Sequence, residues 1–554
     1  MIAANDANDI LELETDVLVL GGGMAGQRAA IAAREAGVRV TMAHLARGAS
    51  PYVIGCNMPI ATAEQGDSPE AYYADMLAGG CGLNDRRLVG AVTQGAARTL
   101  GELLDIGVPF ARRDDRLLQR HLSGNTHARS VYVAEGTGRA LVDHLAVHAT
   151  RIGVSCMDGL RAVALLRDGE EVAGALLWER HARRFVAVHA RAVVVALGGI
   201  GRLYDDTTYP ADVGASAYGL ALEAGAELID MEFVQFEPVV TVWPEACRGM
   251  EMPTAMLGAG AQLRNAAGER FMFRYNPTHG ERQIEKARMA LCIQREIDEG
   301  RGLPDGSVLF DTRTVPRDEL ETYVSHCRRL RQAGLDPAVQ GPHVRPAAHS
   351  QMGGIAVDAT GWAGVPGLYA AGEATGGLHG ASRIAGNGCS DTLIFGAIAG
   401  RGAVAGMVAE AQRDRQGILA RAMAPLRHFG ASRAEAPSPA EAMRHISAAV
   451  SRGAGIWRNG PDLAAGSAEV NAVMALAGAG LATSGREGAL EAVRLRHMGW
   501  TAQTILRAAI ERQESRGAHQ RTDFPARDDT RWLQHIAFTM DAEGRLSSRP
   551  RPIH

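Results

Sequence analysis

The sequence predicts an α/β protein in which a parallel sheet is interrupted by a second, α+β unit and followed by a helical region. Three stretches carry the prediction. Val17–Leu20 is an apolar run that ends in Gly21, Gly23 and Gly26, and alanines at helical spacing follow. Ala192–Leu197 is a second apolar run, closing in Gly198-Gly199-x-Gly201. Leu368–Ala371 is a third, and it leads into a helix of small residues over 391–404. Short, continuously apolar strands of this kind belong to sheets buried on both faces.

The first stretch reads as a βαβ unit. Its second strand is expected over Val38–Met42, and Gly37 closes the helix between. The spacing G-x-G-x-x-G has a physical reading. Gly21 makes the tight turn, Gly23 lets a pyrophosphate approach bare backbone, and Gly26 lets the helix pack close to the strand. The phosphates then meet free N–H groups at a helix N-terminus, with Met24 and Ala25 opening that helix. A dinucleotide site is therefore expected here, with Gly198 and Gly199 as a second point of close approach. An acidic residue usually ends the second strand and holds the ribose. This chain has Ala43 and His44 there, so His44 is the candidate for that contact.

Residues 48–62, GASPYVIGCNMPIAT, read as a loop that touches the ligand, and helices are expected over 68–107 and from Ala134. Ala162–Leu166, Val172–Trp178 and Arg184–His189 read as a β-meander. From Asp230 to His343 charge rises and long apolar runs become fewer, as in an inserted unit. The expected division is 1–235 and 345–410 for a dinucleotide-binding domain, 236–344 for a cap, and 411–554 for a helical C-terminal domain. The final PRPIH is expected to be disordered.

Composition excludes several classes. Over 554 residues the net charge is −4, which gives no footprint for nucleic acid. The seven cysteines are scattered without a C-x-x-C pair, so no metal or iron–sulfur ligand set is expected within this chain. That usage suits a reducing cytoplasm. The N-terminus is acidic and lacks the apolar core of a secretion signal. No apolar run reaches the roughly 20 residues needed to span a membrane.

Several motifs, in order, resemble one family: the flavoprotein subunits of succinate dehydrogenase and fumarate reductase, with L-aspartate oxidase and the adenylylsulfate reductase flavoprotein. They are VLGGGMAGQRAA, VVVALGGIGRLY, DMEFVQFEP, NAAGERFMFRY, HSQMGGIAVD, GLYAAGEATGGLHGASRIAGN and ESRGAHQRTDFPARDDTRWLQH. The resemblance implies a Rossmann-like FAD-binding domain with an inserted cap. It also implies hydride transfer between flavin N5 and a small carboxylate-bearing substrate held between the two. His349 in HSQMGG matches the family histidine. Arg383 in HGASR matches the arginine that clamps a substrate carboxylate. Glu373 in AAGE is expected on the ribityl chain of FAD.

The departures narrow the expectation. Q-[FY]-H-P-T reads QFEPV, which puts Glu237 in a histidine's place. Beside a dicarboxylate it would repel, so it is expected to select a cationic group or to act as a base. Ala259 stands where a relay glutamate is found, and Lys286 and Arg288 are the two candidates for proton donor. G-N-S-L reads GNGC, so Asn387 stays, the serine is lost, and Cys389 completes the expected cofactor set. The segment that carries a covalent FAD linkage has no histidine here, which implies non-covalent FAD. The expected activity is thus an FAD oxidoreductase for an organic acid or amino-acid-like substrate other than succinate or fumarate. The alternative is a flavoprotein resembling adenylylsulfate reductase, acting on a sulfur compound with a separate ferredoxin-like iron–sulfur partner.

Overall fold

The computed structural model describes residues 10–60, 66–134, 136–409, 412–429 and 435–554. At its centre is a five-stranded parallel sheet. The strand order is Leu368–Ala370, Ala192–Val195, Val17–Leu20, Val40–His44 and Ser155–Asp158. The three apolar runs lie side by side, and every residue of Val17–Leu20 is buried. The second strand falls two residues later than expected. It is buried throughout, because a sheet covered on both faces has no wet side.

The helix Met24–Glu35 leaves the first strand, and Asn387–Ala405 packs across it. Glycines set their separation. A Cβ at Gly396 would crowd the Ala25 backbone, and one at Gly400 the Ala29 backbone. The meander forms as expected over Leu160–Asp168, Glu171–Glu179 and Arg184–His189, and Leu11–Glu14 joins its edge.

Between Val234 and Gln351 the chain builds another sheet. It is antiparallel, in the order Val234–Trp243, His343–Gln351, Val308–Asp311 and Gln262–Arg264. The helix Lys286–Glu296 belongs with it. Val239, Leu263, Phe271, Met289, Ile293 and Phe310 pack there as a hydrophobic core separate from that of the parallel sheet.

Four longer helices follow Asp414: Arg415–Phe429, Pro439–Gly453, Gly460–Ala479 and Gly485–Glu511. The C-terminus corrects an expectation. PRPIH is not disordered, because Leu546–Arg551 pairs antiparallel with the largely buried strand His535–Met540. His554 also accepts a hydrogen bond from the Arg86 backbone N–H. Among the described residues no helix is long and apolar enough to cross a membrane.

Candidate active site

The glycine turns meet at one crevice, lined among others by Gly21, Gly23, Ala25, His44, Gly198, Gly199 and Glu373. Gly21 has φ +123°, and a Cβ there would overlap the Ala196 carbonyl. Only glycine tolerates both conditions. A Cβ at Gly26 would overlap the Gly21 carbonyl, so this position fixes how closely the helix sits on its own turn. Gly23 differs. Its φ of −72° suits any residue, but a Cβ would come 2.9 Å from the Ser50 hydroxyl. That hydroxyl accepts the Met24 N–H at 3.0 Å, so the loop Gly48–Ile60 is pinned to the helix start, as the sequence suggests. Gly23 is bare because the space is needed.

At the other end of the crevice Glu373 accepts hydrogen bonds from the Tyr209 hydroxyl and, at 2.9 Å, from the Gln351 N–H. A Cβ on Gly199 would meet the same carboxylate. Burial raises the Glu373 pKa against these donors.

His44 ends the second strand, as expected, but its Nε2 is taken by Asp158 at 2.9 Å. The two residues are in register on adjacent parallel strands. An acidic group thus does reach this strand end, from the neighbouring strand rather than the expected one. His44 Nδ1 is buried without a hydrogen-bond partner among the described residues. Burial lowers the His44 pKa, with Asp158 opposing.

Two expected cofactor residues have side chains committed elsewhere. Asn387 Oδ1 accepts from Asn57 at 2.7 Å and from the Tyr72 hydroxyl at 2.8 Å, inside a buried polar network. Cys389 is buried, with its thiol 3.9 Å from the Met24 sulfur. Both face the interior because the helix Asn387–Ala405 turns that side toward the loop and the first helix. What they can offer a ligand is backbone at the helix start.

The second cluster lies where the antiparallel sheet meets this unit. Lys286 Nζ donates to Glu237 at 2.7 Å and to Glu251 at 3.2 Å. His349 Nδ1 is 2.9 Å from the Thr208 hydroxyl. Ligand atoms of Glu237, Glu251 and His349 all lie within 4.8 Å of one another. The Lys286 ammonium already bridges the two carboxylates of this group. Arg383 is carried on the loop after Ala381, and its carbonyl accepts from Gln235 Nε2 at 3.1 Å. Its Nε is buried with no hydrogen-bond partner among the described residues.

The electrostatics follow from this arrangement. Burial and the nearby Glu251 push Glu237 up to about 7, against the pull of Lys286. Burial also pushes Glu251 up, but the Lys286 ammonium outweighs it and holds Glu251 down at about 2. Burial lowers His349 to about 4, and the charges of Arg383 and Lys286 act the same way, so its ring is neutral near pH 7. The two carboxylates raise the Lys286 pKa despite its burial.

Arg288, the other expected proton donor, is exposed and is not drawn into the cluster. Two residues along a helix is about 200°, which turns it to the opposite face. Its charge bears on Cys292 instead. Glu251 was not singled out in the sequence. It arrives because the chain after Trp243 doubles back, so that Glu251 bridges to Val240 beside Glu237.

Residues 16–389 match the model of an FAD binding domain, and residues 443–554 match that of the fumarate reductase flavoprotein C-terminus. The chain belongs to the fumarate reductase/succinate dehydrogenase flavoprotein family. It is 32% identical to one subunit of the CoM/CoB fumarate reductase of Methanothermobacter marburgensis, over 97% of this chain and 99% of that one. It is 32% identical to the L-aspartate oxidase of Streptomyces coelicolor, over 97% and 93%. Its fold matches FrdA of E. coli quinol fumarate reductase with a TM-score of 0.90, at 26% identity over 98% and 97% of the chains. The adenylylsulfate reductase of Archaeoglobus fulgidus matches at 0.78 with 20% identity over 99% and 97%, a likeness of fold.

The crevice fits the FAD of this flavoprotein family. Backbone is bare at Gly21, Gly23 and Gly199, and a buried imidazole nitrogen at His44 lacks a partner. In this family member Lys286 is a structural keystone as well as a candidate proton donor. Lys286→Met is expected to cost up to about 3–5 kcal/mol, because it strands the buried Glu237 carboxylate and the half-buried Glu251. Both carboxyls then titrate above their ordinary value. A raised folded-state pKa stabilises only while the group stays protonated, so the loss grows as pH rises and should be larger near about pH 8 than about pH 5. Urea titrations at the two values check this, and Glu237→Gln in the same chain should recover part of the loss.

Proposed function

We propose that the protein is an FAD-dependent oxidoreductase acting on a small carboxylate-bearing acid other than succinate or fumarate. The substrate lies between the FAD-binding unit, over about residues 1–235 and 345–410, and the cap over about 236–344. The observation that carries this is Arg383. Its guanidinium has a buried, unpartnered nitrogen, and its charge reaches both His349 and Glu373. A planar fork waiting beside a flavin crevice suits a carboxylate, which it binds in a bidentate way.

FAD, when bound, supplies the hydride chemistry at N5. This chain's residues do the rest. Arg383 holds and orients the carboxylate. His349, neutral and fixed by Thr208, offers a hydrogen bond without adding charge. Lys286 holds the proton to be delivered, Glu237, poised at about 7, is the carboxyl that returns it, and the ionised Glu251 holds the ammonium in place. His44, Glu373 and the glycines of the crevice bind the cofactor, which is held non-covalently. A separate iron–sulfur partner completes the proposal. It is supported by the M. marburgensis relative being one subunit of its enzyme, and by the lack of a C-x-x-C pair in this sequence.

Stopped-flow mixing of the protein with a panel of carboxylates, amino acids and sulfite tests this reading. At least one carboxylate is expected to bleach the flavin, with slow reoxidation in air. Bleaching by sulfite alone would move the protein to the sulfur-compound reading, and fast reoxidation by air would remove the partner.

A further inference from the structure

The cleft's charges are already spent, except at one point. Lys286 is saturated by Glu237 and Glu251. Arg345, on the same strand as His349, has its charge met by Asp206 at 3.4 Å although its Nε is buried without a hydrogen-bond partner among the described residues, and Arg248 pairs with the same carboxylate at 2.9 Å. His349 is flanked by Lys286 and Arg383 and stays neutral. Arg383 has no carboxylate within ion-pairing distance among the described residues. A ligand with one carboxylate finds a partner at Arg383. A second carboxylate at the far end would face Glu237 and Glu251, with no cation left to meet it. An ammonium there would have to displace that of Lys286, which already lies between the two acids.

We propose that the substrate carries a single carboxylate, held by Arg383, and an uncharged far end lying toward Glu237 and His349. Glu237, in its ionised form, is then the residue that sets specificity together with Glu251, by repelling an anion rather than by recruiting a cation. This rests on the reading of Arg383 as the carboxylate clamp.

The test is calorimetric titration of the flavin-loaded protein at about pH 8, where Glu237 is ionised, with (E)-but-2-enoate and with fumarate, acids of equal chain length that differ in the far carboxylate. But-2-enoate is expected to bind at least about tenfold more tightly, since facing carboxylates without a counter-ion repel. In Glu237→Gln, fumarate should gain about tenfold while but-2-enoate stays within about threefold, because its uncharged far end responds neither to the lost repulsion nor to the Lys286 ammonium that the substitution releases. Glu251→Gln is a second variant, and the flavin spectrum reports whether each has folded. Fumarate binding as tightly as but-2-enoate to the unsubstituted protein overturns the inference, and so does tighter binding of 4-aminobut-2-enoate. If fumarate wins and Arg383→Lys abolishes its binding, the clamp stands and only the single-carboxylate inference falls. If none of these acids binds, the clamp reading itself falls.

Discussion

Protein carrying Gly23→Val is expected to fold and to purify without yellow colour. The backbone at Gly23 is extended, so valine brings no conformational strain there. The added side chain instead occupies the crevice and pushes on the Ser50 hydroxyl, 2.9 Å from the new Cβ. Displacing that hydroxyl also frees the Met24 N–H that it satisfies. A pyrophosphate would thus lose both its space and the ordered helix start that faces it. The measurement is flavin absorbance per protein after purification, with circular dichroism as the check on folding. Full occupancy would remove Gly23 from the cofactor site. Acid precipitation of the unsubstituted protein should leave all the flavin in the supernatant, as non-covalent attachment requires.

Arg383→Lys is expected to retain FAD and lose about 100-fold in kcat/KM, or about 3 kcal/mol, the scale of one charge-assisted hydrogen bond to a carboxylate. The charge survives, so the ammonium still attracts the substrate. The fork does not, so the carboxylate is no longer held in one orientation relative to the crevice. Steady-state kinetics should show kcat falling along with any rise in KM. Unchanged kinetics would take Arg383 out of the substrate site.

The parts of this molecule that were legible in its sequence are those fixed by neighbours along the chain. Gly21 and Gly26 have jobs defined by a single turn, and the spacing states them. The meander and the apolar strands are likewise local. His44 shows the limit. Its lack of an acidic residue read as a loss, because Asp158 is more than a hundred residues away and meets it only through parallel pairing. Glu251 is similar. It joins Glu237 through a bridge to Val240, and nothing in RGMEMPT announces that return. Lys286 and Arg288 could not be told apart by motif, whereas helical geometry separates them at once. Glu237 was read as a free acid awaiting a cation. The cation is the chain's own lysine, fixed by a helix whose placement depends on the cap's packing.

The separate hydrophobic core beneath the antiparallel sheet has a mechanical side. Glu237, Glu251 and Lys286 all ride on elements packed around that core, while Arg383 rides on the other unit. The cluster keeps its counter-ions when the units part, whereas the pair of Arg248 with Asp206, which ties the cap to the other unit at 2.9 Å, has to open. The balance of that cluster therefore travels with the cap, and parting the two units to admit or release a small acid breaks no ion pair within it.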